Sequence, residues 1–267
     1  MNVESIMTRD PLVAQANASL DDVMRLMDTN DVRHVPIVEG ETLIGVLSDR
    51  DLLTATGWRA DSQGEGTDAD QARSLIRGRP VVVSPDDSVV MAAVDLTSRA
   101  IGCLPVLEAG QLVGILTEVD LLKAYIEMGA EENAPERLHE PARKHMATTP
   151  ATLVPTSTLA EAIELQAARR VGHLPVVEDG RLVGIISDRD LRKALGRDLD
   201  SGTEISELME PDLLTLDPDE PLSRAAGLLL EGRVSALPVV EEGRLAGVLT
   251  LTDVLEHCIT ILRRPGS

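Results

Sequence analysis

Four times along this chain a proline is followed nine residues later by a glycine that opens the same short run. The segments are PIVEGETLIG from Pro36, PVLEAGQLVG from Pro105, PVVEDGRLVG from Pro175 and PVVEEGRLAG from Pro238. Each reads as two β-rich runs around a glycine-containing turn, the pattern of a β-hairpin. The glycines lead into GVLSDRDLL (45–53), GILTEVDLL (114–122), GIISDRDLR (184–192) and GVLTLTDVL (247–255). Recurrence this regular restricts the chain to copies of one supersecondary unit.

Sixteen residues before each proline an apolar stripe begins: Leu20, Val23, Met24, Met27; Val89, Ala92, Ala93, Leu96; Leu159, Ala162, Ile163; Leu222, Ala225, Ala226, Leu229. Spacing of three and four residues puts each stripe on one face of an amphipathic helix. The methionines there read as core filler. A short extended piece precedes each helix (DPLVAQANAS, RPVVVSPDDS, TPATLVPTST, PDLLTLDPDE). The unit is strand, helix, hairpin, helix, which is too small to bury much alone, so copies should pack in pairs. GWRADSQGEGTDADQ (57–71) reads as a mobile polar linker, GAEENAPERLHEPARK (129–144) as the boundary between pairs, and GRDLDSGTE as a shorter joint.

A proline-led hairpin followed by Gly, two apolar residues, Ser or Thr, two residues and Asp strongly resembles the cystathionine-β-synthase (CBS) domain. The resemblance covers essentially the whole chain. It implies an α+β fold: four β-α-β-β-α repeats, with motifs at 1–58, 72–129, 142–198 and 203–263, packed as two pseudo-twofold Bateman modules (1–129 and 142–263). It further implies clefts between paired motifs that bind adenosine-containing ligands: AMP, ADP or ATP, with or without Mg²⁺, or else S-adenosylmethionine or an adenine dinucleotide. The motif Asp (Asp51, Asp120, Asp190, Asp253) would hold ribose hydroxyls. Ser48, Thr117, Ser187 and Thr250 would lie near phosphate, and first-strand backbone at Val13, Val82, Thr152 and Leu214 would meet adenine. Four domains could close into a disk within one chain or as a homodimer.

The same Ser/Thr and Asp are spaced as a capping box, which needs no ligand. A helix entrance is also an anion site, because its free N–H groups and dipole favour phosphate. The carboxylate would have to face the sugar while hydroxyl and amides face the phosphate. The odd copies add cations: Arg50 and Arg189 inside the motif, Arg33 with His34, and His173 two residues before its proline. Copies two and four have Glu118-Val119 and Leu251-Thr252 instead, with Cys103 and Ala236 at the histidine position. Odd-copy sites are therefore expected to prefer phosphorylated ligands, with even-copy sites weaker or empty.

A formal charge of −20 argues against nucleic-acid or anionic-membrane partners, and with Trp58 and Tyr125 as the aromatics there is no platform for stacking bases. No apolar run reaches transmembrane length, MNVESIMTRD has no signal-like stretch, and Cys103 and Cys258 form no disulfide or zinc pattern, so a cytoplasmic protein is expected. No GxxxxGK[ST] or HExxH is present, and HEPARKH (139–145) has the wrong spacing for zinc on one helix face. His139, His145 and His257 read as surface residues; neither a metal site nor a catalytic group is expected. Two classes remain: a regulatory adenine-nucleotide module acting on a protein target, or a ligand-free oligomerisation platform.

Overall fold

The hairpin is the centre of each repeat. The computed structural model describes residues 1–57, 71–129, 139–195, 197 and 199–262; Trp58, Glu131-Glu132 and the bulk of the two longer expected linkers lie outside the described residues. The hairpins pair strands β3 (His34–Glu39) with β4 (Thr42–Ser48), β5 (Cys103–Glu108) with β6 (Gln111–Thr117), β7 (His173–Glu178) with β8 (Arg181–Ser187), and β9 (Ala236–Glu241) with β10 (Arg244–Thr250). Three of the turns put two successive residues at positive φ (Ala109-Gly110, Asp179-Gly180, Glu242-Gly243), the twist that closes a tight hairpin.

Helices α1 (Leu20–Asn30), α3 (Val89–Arg99), α5 (Leu159–Arg169) and α7 (Leu222–Glu231) precede the hairpins, and α2 (Asp49–Gly57), α4 (Glu118–Gly129), α6 (Asp188–Leu195) and α8 (Leu251–Leu262) follow them. The first-helix stripes are buried as the spacing requires, at Leu20, Val23 and Met27 and at Val89, Ala92, Ala93 and Leu96. Full burial of one such aliphatic side chain contributes about 1.5–3 kcal/mol. Copy three departs at one point: Gln166 takes the buried place that Met27, Leu96 and Leu229 hold elsewhere.

The leading strand is shorter than the extended pieces suggest. Copy one has β1 (Thr8–Arg9), antiparallel to β6, and β2 (Ala14–Gln15), parallel to β3, while the others keep single bridges, Val83 to Val106, Leu153 to Val176 and Leu216 to Val239. Prolines crowd these segments (Pro80, Pro85, Pro150, Pro155, Pro211, Pro218) and cannot donate to a ladder.

Contacts divide the chain into two compact units, 1–121 and 122–267. Inside each unit two copies exchange their leading segments. Val3 and Glu4 donate backbone N–H groups to Asp87 and Pro85 of copy two, and Ala72 and Arg73 return the contact to Ala18 and Ala16 of copy one. In the other unit Ala142 and Arg143 donate to Glu220 and Pro218, while Ile205 and Ser206 donate to Ser157 and Pro155. Val3, Ala72, Ala142 and Ile205 are each 0% exposed. These are two pseudo-twofold modules, each made of copies that are incomplete alone.

The exchange also explains the motif glycines. A Cβ at Gly45 would stand 2.5 Å from Ile76, at Gly114 2.6 Å from Met7 Sδ, at Gly184 2.3 Å from Met209 Sδ, and at Gly247 2.6 Å from the Ala147 carbonyl. Each glycine is thus a slot for the sister copy's leading segment. Among the described residues no helix is long and apolar enough to cross a membrane.

Candidate functional site

Every hairpin runs straight into its second helix, and one backbone bond fixes the junction. The residue directly after the motif Ser/Thr donates to a carbonyl at the hairpin entrance: Asp49 to Arg33 (3.1 Å), Glu118 to Gly102 (3.3 Å), Asp188 to Gly172 (3.0 Å) and Leu251 to Ser235 (3.0 Å). This places the motif Asp at the third helical position in all four copies.

The capping box is fully formed. Asp51 Oδ2 accepts from Ser48 N–H (2.8 Å) and Ser48 Oγ (2.5 Å), and Asp51 N–H donates back to Ser48 Oγ (3.3 Å). Asp120 does the same with Thr117 (2.9, 2.7 and 3.4 Å), Asp190 with Ser187 (2.9, 2.5 and 3.4 Å) and Asp253 with Thr250 (2.7, 2.6 and 3.3 Å). In each copy the cap uses Oδ2 alone. Among the described residues Oδ1 of these four carboxylates has no protein hydrogen-bond partner. Asp51 is exposed, Asp190 and Asp253 are half-buried, and Asp120 is 7% exposed. The cap and hook readings are therefore compatible, since they call on different oxygens.

Arg50 and Arg189 occupy the second position of α2 and α6, Arg50 exposed and Arg189 half-buried. The two histidines do something else. His34 lies so close to Gly102 of copy two that a Cβ there would stand 2.3 Å from its Cε1. His173 Nε2 is 3.1 Å from the Ser235 hydroxyl of copy four. Gly102 and Ser235 both stand three residues before their prolines, so the two contacts are related by the repeat. Burial, reinforced by the neighbouring Arg33 guanidinium, pushes the His34 imidazole down to about 4. That environment favours the neutral imidazole at pH 7. The shared offset of Gly102 and Ser235 was readable from the sequence; that it meets the histidine was not.

The first-strand positions need one correction. Ala14, Val83, Leu153 and Leu216 all pair with the residue that follows the proline, so Val13, Val82 and Thr152 correspond to Thr215, one residue beyond the expected Leu214. Val13, Val82, Thr152 and Thr215 are all exposed. Burial pushes the Cys103 thiol up to about 12, helped by the Glu118 charge, and does the same to Cys258; neither is a thiolate at neutral pH. His145 is half-buried and His257 only 7% exposed, so the surface placement expected for them does not hold. His257 lies on the inward face of α8, beside Cys258 and Ile259.

The CBS domain family model matches residues 3–57, 72–127, 142–197 and 205–259. The uncharacterized protein MJ1225 of Methanocaldococcus jannaschii is 30% identical over 187 residues, which cover 66% of this chain and 67% of that protein. The crystal structure of MJ1225, a proposed archaeal homolog of g-AMPK, superposes with a TM-score of 0.85 at 21% identity, covering 97% of this chain and 100% of that one. Inosine-5'-monophosphate dehydrogenase of Mycobacterium tuberculosis is 40% identical over 114 residues, only 21% of that enzyme's length. With each of its four repeats matched, the chain belongs to the CBS-domain family.

Proposed function

We propose that the chain is a non-catalytic regulatory protein that binds an adenine nucleotide of the AMP, ADP or ATP type in its modules and reports that occupancy to a protein target. The observation that carries this reading is the division of labour in the motif carboxylate. Oδ2 completes the helix cap, and Oδ1 is available to accept from ribose hydroxyls in a charge-assisted bond. The helix entrance supplies N–H groups and dipole for a phosphate, with Arg50 and Arg189 one residue before the hook. Exposed apolar groups at Val13 and Val82, each 40% exposed, offer an edge on which adenine can rest. The odd-copy hooks Asp51 and Asp190 are the stronger candidates, because Asp120 is nearly closed off and copies two and four lack the motif arginine. A nucleotide regulates here only by binding one conformation of the module better than another.

Isothermal titration of AMP, ADP, ATP, S-adenosylmethionine and NAD against the wild type and the Asp51→Asn, Asp190→Asn, Asp120→Asn and Asp253→Asn variants tests this. Asn keeps a cap acceptor but removes the charge, so the expected result is a roughly tenfold or greater loss of affinity at Asp51 or Asp190 with little change in melting temperature. Saturation at one hundred times the dissociation constant should stabilise the wild type by about 2.7 kcal/mol. If no adenosine compound binds, the motif is a cap and the chain is a ligand-free platform.

A further inference from the structure

Beside the Asp253 hook, one cluster of metal-ligating side chains stands in the second unit. Glu140 and His145 flank the short helical turn Ala142–Lys144 in the leading segment of copy three, and His257 lies on α8 of copy four. The segment is pinned in place by backbone bonds across the module, Leu222 N–H to the Glu140 carbonyl and Ala142 N–H to the Glu220 carbonyl, each 2.9 Å. His145 Nε2 is 3.2 Å from Glu140 Oε2. The His145 and His257 rings meet edge to face, with centroids 4.5 Å apart and planes at 68°. One ligand atom from each of the three residues lies within 4.8 Å of the others.

We infer that Glu140, His145 and His257 form a binding site for a first-row transition-metal ion of the zinc class, which clamps the leading segment of copy three to the last helix of copy four. Two imidazoles and one carboxylate are the donor set such ions take, in preference to Mg²⁺ or Ca²⁺, which take oxygen. Bonds of about 2.0–2.1 Å in a tetrahedron set donors roughly 3.4 Å apart. The Glu140–His145 pair already has that separation, and small side-chain rotations bring in His257. The site opens on a cavity of about 300 Å³ that Asp253 and Glu256 also line. Three carboxylates around two imidazoles favour a cation there and disfavour phosphate. The cavity leaves room for a fourth ligand such as water.

The chain without an affinity tag should be stripped with chelator and titrated with Zn²⁺ by calorimetry, and with Co²⁺ by visible absorption. The expected result is one ion per chain, Co²⁺ bands of tetrahedral intensity, and no thiolate charge-transfer band, which separates this site from Cys258. His145→Ala and Glu140→Gln, both at partly exposed positions, should each weaken Zn²⁺ roughly tenfold or more and abolish the Zn²⁺-dependent rise in melting temperature. His257→Gln should do the same, and the exposed His139→Ala should change nothing. Absence of saturable Zn²⁺ binding, undiminished binding in His145→Ala, or a thiolate band would each overturn the assignment. Because the titration contains no nucleotide, its outcome is independent of the ligand proposed for the hooks.

Discussion

The imidazole of His34 fills the space in which a side chain at Gly102 would stand: a Cβ on Gly102 would be 2.3 Å from His34 Cε1 and 2.4 Å from Nε2. Copy one thus presses a ring onto bare backbone of copy two. Gly102→Ala should destabilise the first module by about 1–3 kcal/mol, the usual cost of overpacking. In urea unfolding, His34→Ala combined with Gly102→Ala should recover part of that loss. A strictly additive double mutant would show that the ring and the glycine are not coupled.

The same ring predicts a pH dependence. Its pKa is about 4 in the folded chain against an ordinary 6.5. Between these values the unfolded chain binds more protons, so stability falls as pH drops from about 6.5 toward 4 and is fully present above that window. The contribution is at most about 3.5 kcal/mol, at about 1.4 kcal/mol per pH unit. His34→Gln should flatten this part of the stability–pH curve, and proton NMR should show the His34 ring titrating near 4.

The motif glycines should not tolerate alanine equally. At Gly247 the obstacle is backbone, the Ala147 carbonyl at 2.6 Å, which can yield only if the paired segment moves. At Gly184 it is the Met209 side chain, with Sδ at 2.3 Å, and a thioether chain can rotate away. Gly247→Ala should cost about 2–3 kcal/mol and Gly184→Ala distinctly less. Thermal melts of the two variants give the order directly, and equal losses would count against the slot as the reason for the glycines.

Gln166 offers a stabilising change. Its Nε2 donates to the Gly172 carbonyl at 3.2 Å, but its Oε1 is buried with no hydrogen-bond partner among the described residues. The Gly172 carbonyl also accepts from Asp188 N–H at 3.0 Å, so it stays satisfied without the glutamine. Gln166→Met installs the side chain that copy one has at this place, Met27, and should raise stability by about 1 kcal/mol. A fall in the denaturation midpoint would mean that Oε1 matters to the fold.

How much of this was legible beforehand follows from which interactions are local. The hairpins, the first-helix stripes and the Ser/Thr–Asp boxes each involve residues close in the chain, so periodicity and spacing carried them. The box even announced its partners, Ser48 with Asp51 and Ser187 with Asp190, three residues apart. Spacing could not say that the cap engages one carboxylate oxygen and leaves the other without a protein partner among the described residues.

What the sequence by itself determined is the repeated unit: four hairpins, four amphipathic helices and four capped helix entrances, all set by backbone geometry and short-range hydrogen bonding. What only the tertiary structure decided is what the copies do to one another. The motif glycines proved to be slots for a sister copy's Ile76, Met7, Met209 or Ala147, the odd-copy histidines met Gly102 and Ser235 of the paired copy, and His145 met His257 across more than a hundred residues of chain. Those contacts join positions in different copies, far apart along the chain, and the spacing within one copy does not name their partners. They exist because a unit this small cannot bury its apolar face alone and must complete its core with a neighbour.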